Sequence, residues 1–166
     1  MILGMPASTY TFLHVLISLI GIGSGLVVMS AMLTGKRVDG WTALFLVTTA
    51  ATSVTGFGFP FDHLLPSHKV GIISLVVLAV AILARYGGHL AGAWRWIYVV
   101  SASLVLYLNV FVAVVQAFLK LPALRALAPT QTEPPFLVAQ LAVLVLFIGL
   151  AIIAVRTFHT GPALRA

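Results

Sequence analysis

Residues 107–140 read YLNVFVAVVQAFLKLPALRALAPTQTEPPFLVAQ, and this stretch decides the fold. An apolar run that began at Trp94 continues through it and stops at Lys120 and Pro122. A proline-rich connection carrying Glu133 follows, and Pro134-Pro135 opens a second apolar run that passes Gln140. Neither run alternates with a period of two, so neither reads as a barrel strand. Each is long enough to cross a bilayer as a helix, which takes roughly 20 apolar residues. A helix also satisfies its own backbone groups where no water can. The stretch therefore reads as two antiparallel spanning helices joined at a membrane surface.

The rest of the chain repeats the pattern. Five runs qualify as spans: residues 10–33, 41–59, 70–86, 94–119 and 135–155. They stop at Thr34-Gly35-Lys36-Arg37, at Pro60, at Gly87-Gly88, at Lys120 and at Arg156. The 166 residues are 61% hydrophobic and 7% charged, with mean hydropathy +1.17. A soluble chain of this length needs far more charge at its surface. The expected fold is all-α: a polytopic membrane bundle of five transmembrane helices, one integral membrane domain over residues 1–166. The first run is too long for a signal-peptide core, and no Lys or Arg precedes it. The absence of cysteine excludes disulfides and thiolate chemistry.

Charge orients the bundle. Nine Lys/Arg face three Asp/Glu, a formal charge of +6. The basic residues sit in short connections between apolar runs, which points to membrane orientation and not to nucleic acid. With five spans, Lys36, Arg37, Arg85, Arg95, Arg156 and Arg165 share one side, and Lys69, Lys120 and Arg125 the other. The more basic side is expected inside, which places the N-terminus out and the C-terminus in. Leu121, Leu124 and Leu127 recur as on one face of a short helix, expected to lie in the interface between the fourth and fifth spans.

The polar residues fall on stripes. Thr11, His14, Ser18, Gly21 and Gly25 share one face of the first span, and Gly21-x3-Gly25 allows a close helix approach. Thr48, Thr52 and Thr55 share a face of the second, with Thr49 and Ser53 beside it. Asn109, Gln116 and Lys120 share a face of the fourth, and Gln140 lies just inside the fifth. Span directions bring these groups to the outer half of the bundle. A pocket is expected there, lined by His14, Asn109, Gln116 and Gln140, with Lys120 and Glu133 at its mouth.

Each group also has an ordinary explanation. Thr and Ser in membrane helices bond their own i−4 carbonyl or a neighbouring helix. Asn109 and Gln116 can serve as interhelical glue, and Lys120 can snorkel to the interface. Glu133 can pair with Lys120 or Arg125, or cap the fifth helix. His14 is an ionisable group inside a span, which is a functional hypothesis by default.

Several functions remain open on residues alone. A small-ligand or quinone-like pocket would use His14, Gln116 and Gln140 to donate hydrogen bonds to a carbonyl between aliphatic walls. A haem or metal site would draw on His14, His63 and His68, with Asp62 and Glu133 as further candidates. A small-solute transporter would show inverted repeats or broken helices, and neither is evident. An accessory or scaffolding role would pack the apolar faces on other membrane subunits or on a second copy of the chain. No hydrolase, zinc-protease or phosphate-loop motif occurs, so no enzyme activity is expected.

The runs WTALFLVTTAATSVTGFGFPF at 41–61, GAWRWIYVVSASLVLYLNVFVAVVQAF at 92–118 and APTQTEPPFLVAQ at 128–140 resemble those of small hypothetical inner-membrane proteins of proteobacteria. The resemblance implies the lipid bilayer of the bacterial inner membrane as the surroundings. It implies no particular chemistry and no functional residues.

Overall fold

A computed structural model describes residues 2, 4–59 and 66–159. Asp62, His63 and Arg165 lie outside the described residues. Among the described residues six α-helices follow one another: α1 (Ala7–Leu33), α2 (Asp39–Gly56), α3 (Pro66–Ile82), α4 (Ala93–Lys120), α5 (Pro122–Leu127) and α6 (Pro134–Thr157). A π-helical turn, Leu83–Gly87, extends α3.

The helix ends follow from local chemistry. Gly35 takes φ 69° after α1. Gly35 N–H then bonds Met32 O and Lys36 N–H bonds Ala31 O, closing the helix in a Schellman pattern. α6 begins on Pro134 and Pro135, whose missing N–H groups are not needed in a first turn. Its far end is closed by Arg95, whose Nη1 donates to the carbonyls of Val155 (3.0 Å) and Phe158.

The helices run up and down, and side-chain contacts fix their directions. At one end, the start of α1 meets the end of α2 (His14–Thr55), and the start of α6 meets α4 (Gln140–Phe111). At the other, the end of α3 meets the start of α2 (Arg85–Asp39), and the end of α6 meets the end of α1 (Thr157–Met32). α4 is central, packing on α1, α3, α5 and α6, while α2 packs on α1 and α3. The core between α1, α2 and α4 includes Val28, Phe45, Leu46, Val99 and Leu106. Gly25 makes that approach possible, because a Cβ there would lie 2.5 Å from Leu106 Cδ1 and 2.8 Å from the Phe45 ring.

The distribution of side chains is that of a protein in lipid. Phe12, Val76, Val138 and Val145 are more than 60% exposed, while Ser24, Thr42, Thr49, Ser101 and Ser103 are buried. Small hydroxyl residues between helices and large apolar residues outside suit a solvent without a hydrophobic penalty. Among the described residues four helices are long and apolar enough to cross a membrane: Ala7–Leu33, His68–Gly87, Ala93–Lys120 and Pro134–Thr157. The chain is a multi-pass membrane protein. α2 is not among the four. Its 18 residues reach roughly 27 Å at 1.5 Å per residue. Its run of Thr and Ser also lowers its hydropathy.

Candidate functional site

His14, like Tyr10, reaches from α1 to another helix. Its stripe neighbours do not: Thr11 and Ser18 donate to their own helix, to Ala7 O (2.8 Å) and His14 O (2.7 Å). His14 Nδ1 lies 2.8 Å from Thr55 Oγ1. The Thr55 hydroxyl has a single proton, and Ala51 O lies 2.7 Å from it within α2. With that proton committed to Ala51, Thr55 accepts and His14 Nδ1–H donates. His14 Nε2 is then the lone-pair nitrogen, and it has no hydrogen-bond partner among the described residues. The ring stands edge-on to Phe59 at 5.2 Å, and Tyr10, bonded to Thr55 O at 2.7 Å, closes the adjacent side.

The remaining expected residues are near the same end but are engaged separately. Asn109 Nδ2 donates to Thr49 Oγ1 at 3.2 Å, so α4 and α1 both lean on the hydroxyl face of α2. Gln140 is buried. It donates from Nε2 to Phe111 O at 3.3 Å, which leaves its Oε1 buried without a partner. Thr52 Oγ1 is a second buried oxygen without a partner at this end. Lys120 is exposed at the end of α4. Gln116 is exposed and forms no hydrogen bond among the described residues.

Glu133 departs from expectation. It pairs with neither Lys120 nor Arg125, and its side chain does not cap α6. Its carboxylate accepts instead from Thr130 N–H (3.1 Å), Thr130 Oγ1 (2.8 Å) and Thr132 N–H (3.1 Å). The three donors belong to the turn before α6, so they reach the acid before any distant cation can. Desolvation pushes the carboxyl upward, but the bonds from Thr130 and the neighbouring backbone outweigh it and hold the group below its ordinary value. Gln131 turns the other way and donates to Val115 O at 2.9 Å, fastening the connection to α4.

Of the histidines weighed for metal or haem, His14 and His68 belong to the described residues. His68 is buried and stacks on Phe57 at 5.5 Å. His63 lies outside the described residues. Among the described residues no three metal-capable side chains form a group.

A second polar centre occupies the opposite end, built on Arg37 and Arg85, which the charge pattern puts at that side, and on Asp39. Asp39, which starts α2, receives Arg85 from the π-turn and lies 3.5 Å from Arg37. The Arg85 side chain is 4% exposed and that of Asp39 69%. The Arg85 guanidinium lies between the rings of Tyr86 (5.6 Å) and Tyr98 (5.3 Å). Arg37, Asp39, Arg85, Tyr86 and His89 line an open cavity of about 320 Å³. The polar residues here looked like interface charges because Asp39 and Arg85 are 46 positions apart. The one local signal is Arg85 falling before Gly87-Gly88, inside the last turn of an apolar run.

Fold, side-chain distribution and the two polar ends define the class: a small multi-pass α-helical membrane protein. No protein-family model matches the chain, and comparison with curated proteins and with solved structures finds no match.

Proposed function

We propose that this is a bacterial inner-membrane protein of five crossing helices, N-terminus out and C-terminus in. In this reading its outer end binds a small, apolar, hydroxyl-bearing ligand of the quinol type. The fifth crossing in this reading is α2, which packs on α1 and α3. Orientation is supported by Lys36, Arg37, Arg85, Arg95 and Arg156 gathering at one end.

One observation carries the ligand reading: His14 is held by Thr55 at Nδ1, and its Nε2 has no hydrogen-bond partner among the described residues. A neutral imidazole so held accepts a hydrogen bond, and Gln140 Oε1 is a second acceptor in want of a donor. Two acceptors favour a ligand hydroxyl over the carbonyl that the residues alone suggest. His14 lies seven residues into α1 and Gln140 six into α6, so both sit roughly 10 Å from the helix starts. Asn109 backs the site, and Gln116, Lys120 and Glu133 form its rim.

The test is thermal stabilisation in detergent by a short-chain ubiquinol analogue and by its oxidised form. The reduced form is expected to stabilise the wild type more. His14→Leu is expected to weaken its binding by about fivefold to tenfold, the worth of one hydrogen bond. Equal stabilisation by both forms, unchanged in His14→Leu, would sink the reading.

A further inference from the structure

The cavity beside Arg85 has no part in the outer-end reading, and its construction is unusual. It is built where a helix departs from regular geometry. α3 ends in the π-turn Leu83–Gly87, with Gly88 N–H bonded to Leu83 O at 2.8 Å. His89 (φ 48°) and Leu90 (φ 58°) follow, two non-glycine residues in succession in the left-handed region. Leu90 is 1% exposed, so its anchoring in the core holds the strained pair in place. The result puts exposed His89 in the cavity lining together with Arg37. π-turns and left-handed non-glycine residues concentrate at functional sites.

The charges do not cancel. Two guanidiniums, Arg37 and Arg85, face one carboxylate, Asp39, and among the described residues no other acid lines the cavity. Arg85 is 6% exposed, yet its Nε–H has no acceptor among the described residues. Buried guanidinium N–H groups are normally satisfied. A neighbouring void, lined by Arg85, Thr42 and Tyr98 among others, is about 10 Å³, room for a single water at most. The cavity of about 320 Å³ admits a polyatomic anion. Exposed Trp41, Tyr86 and Trp94 lie at this end, at the level where aromatic side chains mark a membrane surface.

We propose that this cavity binds a phosphate-bearing anion, held by Arg37 and Arg85 with His89 as a further donor. The net single positive charge suits a singly charged group such as a phosphodiester, and Arg is the residue whose fork matches phosphate oxygens. Basic pockets between membrane helices at this level take lipid headgroups. A soluble phosphate compound carries the same chemistry.

The test uses the full chain in a neutral, phosphate-free detergent. Its thermal midpoint is measured against phosphatidylglycerol added in mixed micelles and, separately, against inorganic phosphate. Arg37→Gln and His89→Gln change exposed rim residues and leave buried Arg85 in place, and Arg125→Gln at the opposite end is the control. A saturable rise in midpoint is expected with at least one probe. Arg37→Gln should weaken it fivefold or more, His89→Gln less, and Arg125→Gln not at all. A rise with the lipid alone identifies a headgroup site, and a rise with phosphate alone or with both identifies a site open to soluble anions. No rise with either probe overturns the proposal, and so does an equal loss in Arg37→Gln and Arg125→Gln.

Discussion

Thr55 has one hydroxyl proton, and where it goes decides what His14 can bind. Helical Thr returns that proton to its own backbone in lipid, because no water is there to take it. The imidazole is left to donate at one nitrogen and accept at the other. Arg85 shows a different logic. It is buried while its partner Asp39 is exposed, so the two sides of the pair are unequal. Asp39→Asn leaves a buried guanidinium with no counter-charge and is expected to cost about 3 kcal/mol. Arg85→Met leaves Asp39 in contact with water and Arg37, with an apolar chain in the cation's place, and is expected to cost about 1 kcal/mol or less. Unfolding midpoints of the two variants in the same detergent check the order. A larger loss for Arg85→Met contradicts it. The residue types at both ends were legible in the sequence, and His14 stood out at once. Their pairing was not, since it depends on which turn of which helix comes opposite.

Helices were the most legible feature. The apolar runs at 10–33 and 94–119 correspond to α1 at Ala7–Leu33 and α4 at Ala93–Lys120. Pro134-Pro135 marked the start of α6, and the leucine spacing after Lys120 marked α5. The π-turn was not legible, because an extra residue in a turn leaves no compositional trace. The glycine stripe was legible as a close approach but not in its gradation. A Cβ on Gly25 meets Leu106 at 2.5 Å, one on Gly21 meets Thr48 Oγ1 at 3.3 Å, and one on Gly23 meets nothing within 4 Å. Gly25→Ala is therefore expected to destabilise by about 1–3 kcal/mol through overpacking. Gly23→Ala is expected to be neutral or to stabilise by up to about 1 kcal/mol, by helix propensity. Denaturant titration of both variants tests this, and equal losses would show that α1 is not seated on Gly25. The turn before α6 carries a pH dependence. Glu133 is ionised and bonded above its ordinary value of 4.5, and its folded value is lower. The order it lends the turn is present above that value and lost as pH falls through the folded one. Amide exchange at Thr130 and Thr132 should accelerate, relative to the intrinsic rate, only below about pH 4.5. Thr130→Ala should bring the change to higher pH, and exchange protection that ignores pH in this window would refute the carboxylate's role.

The bundle has a polar centre toward each end, with small hydroxyl residues such as Ser24, Thr49 and Ser103 buried between its helices. One end holds His14, bonded to α2, and Gln140, bonded to α4, with Asn109 further along α4 and bonded to α2. The other holds Asp39, Arg85 and Arg95 under an excess of positive charge. The two ends would face different compartments. A reporter fused at the C-terminus is expected to be active only in its cytoplasmic form, and a periplasmic signal would move the His14 end to the inner surface. Whether the His14 end is a binding site rests on the state of one imidazole. Nitrogen-15 magnetic resonance of histidine-labelled protein in lipid, with His14 assigned by its loss in His14→Gln, reads that state directly. The prediction is a neutral ring protonated at Nδ1, whose unprotonated Nε2 resonance moves on addition of the quinol analogue. A ring protonated at Nε2, or an Nε2 resonance indifferent to the quinol, would contradict it.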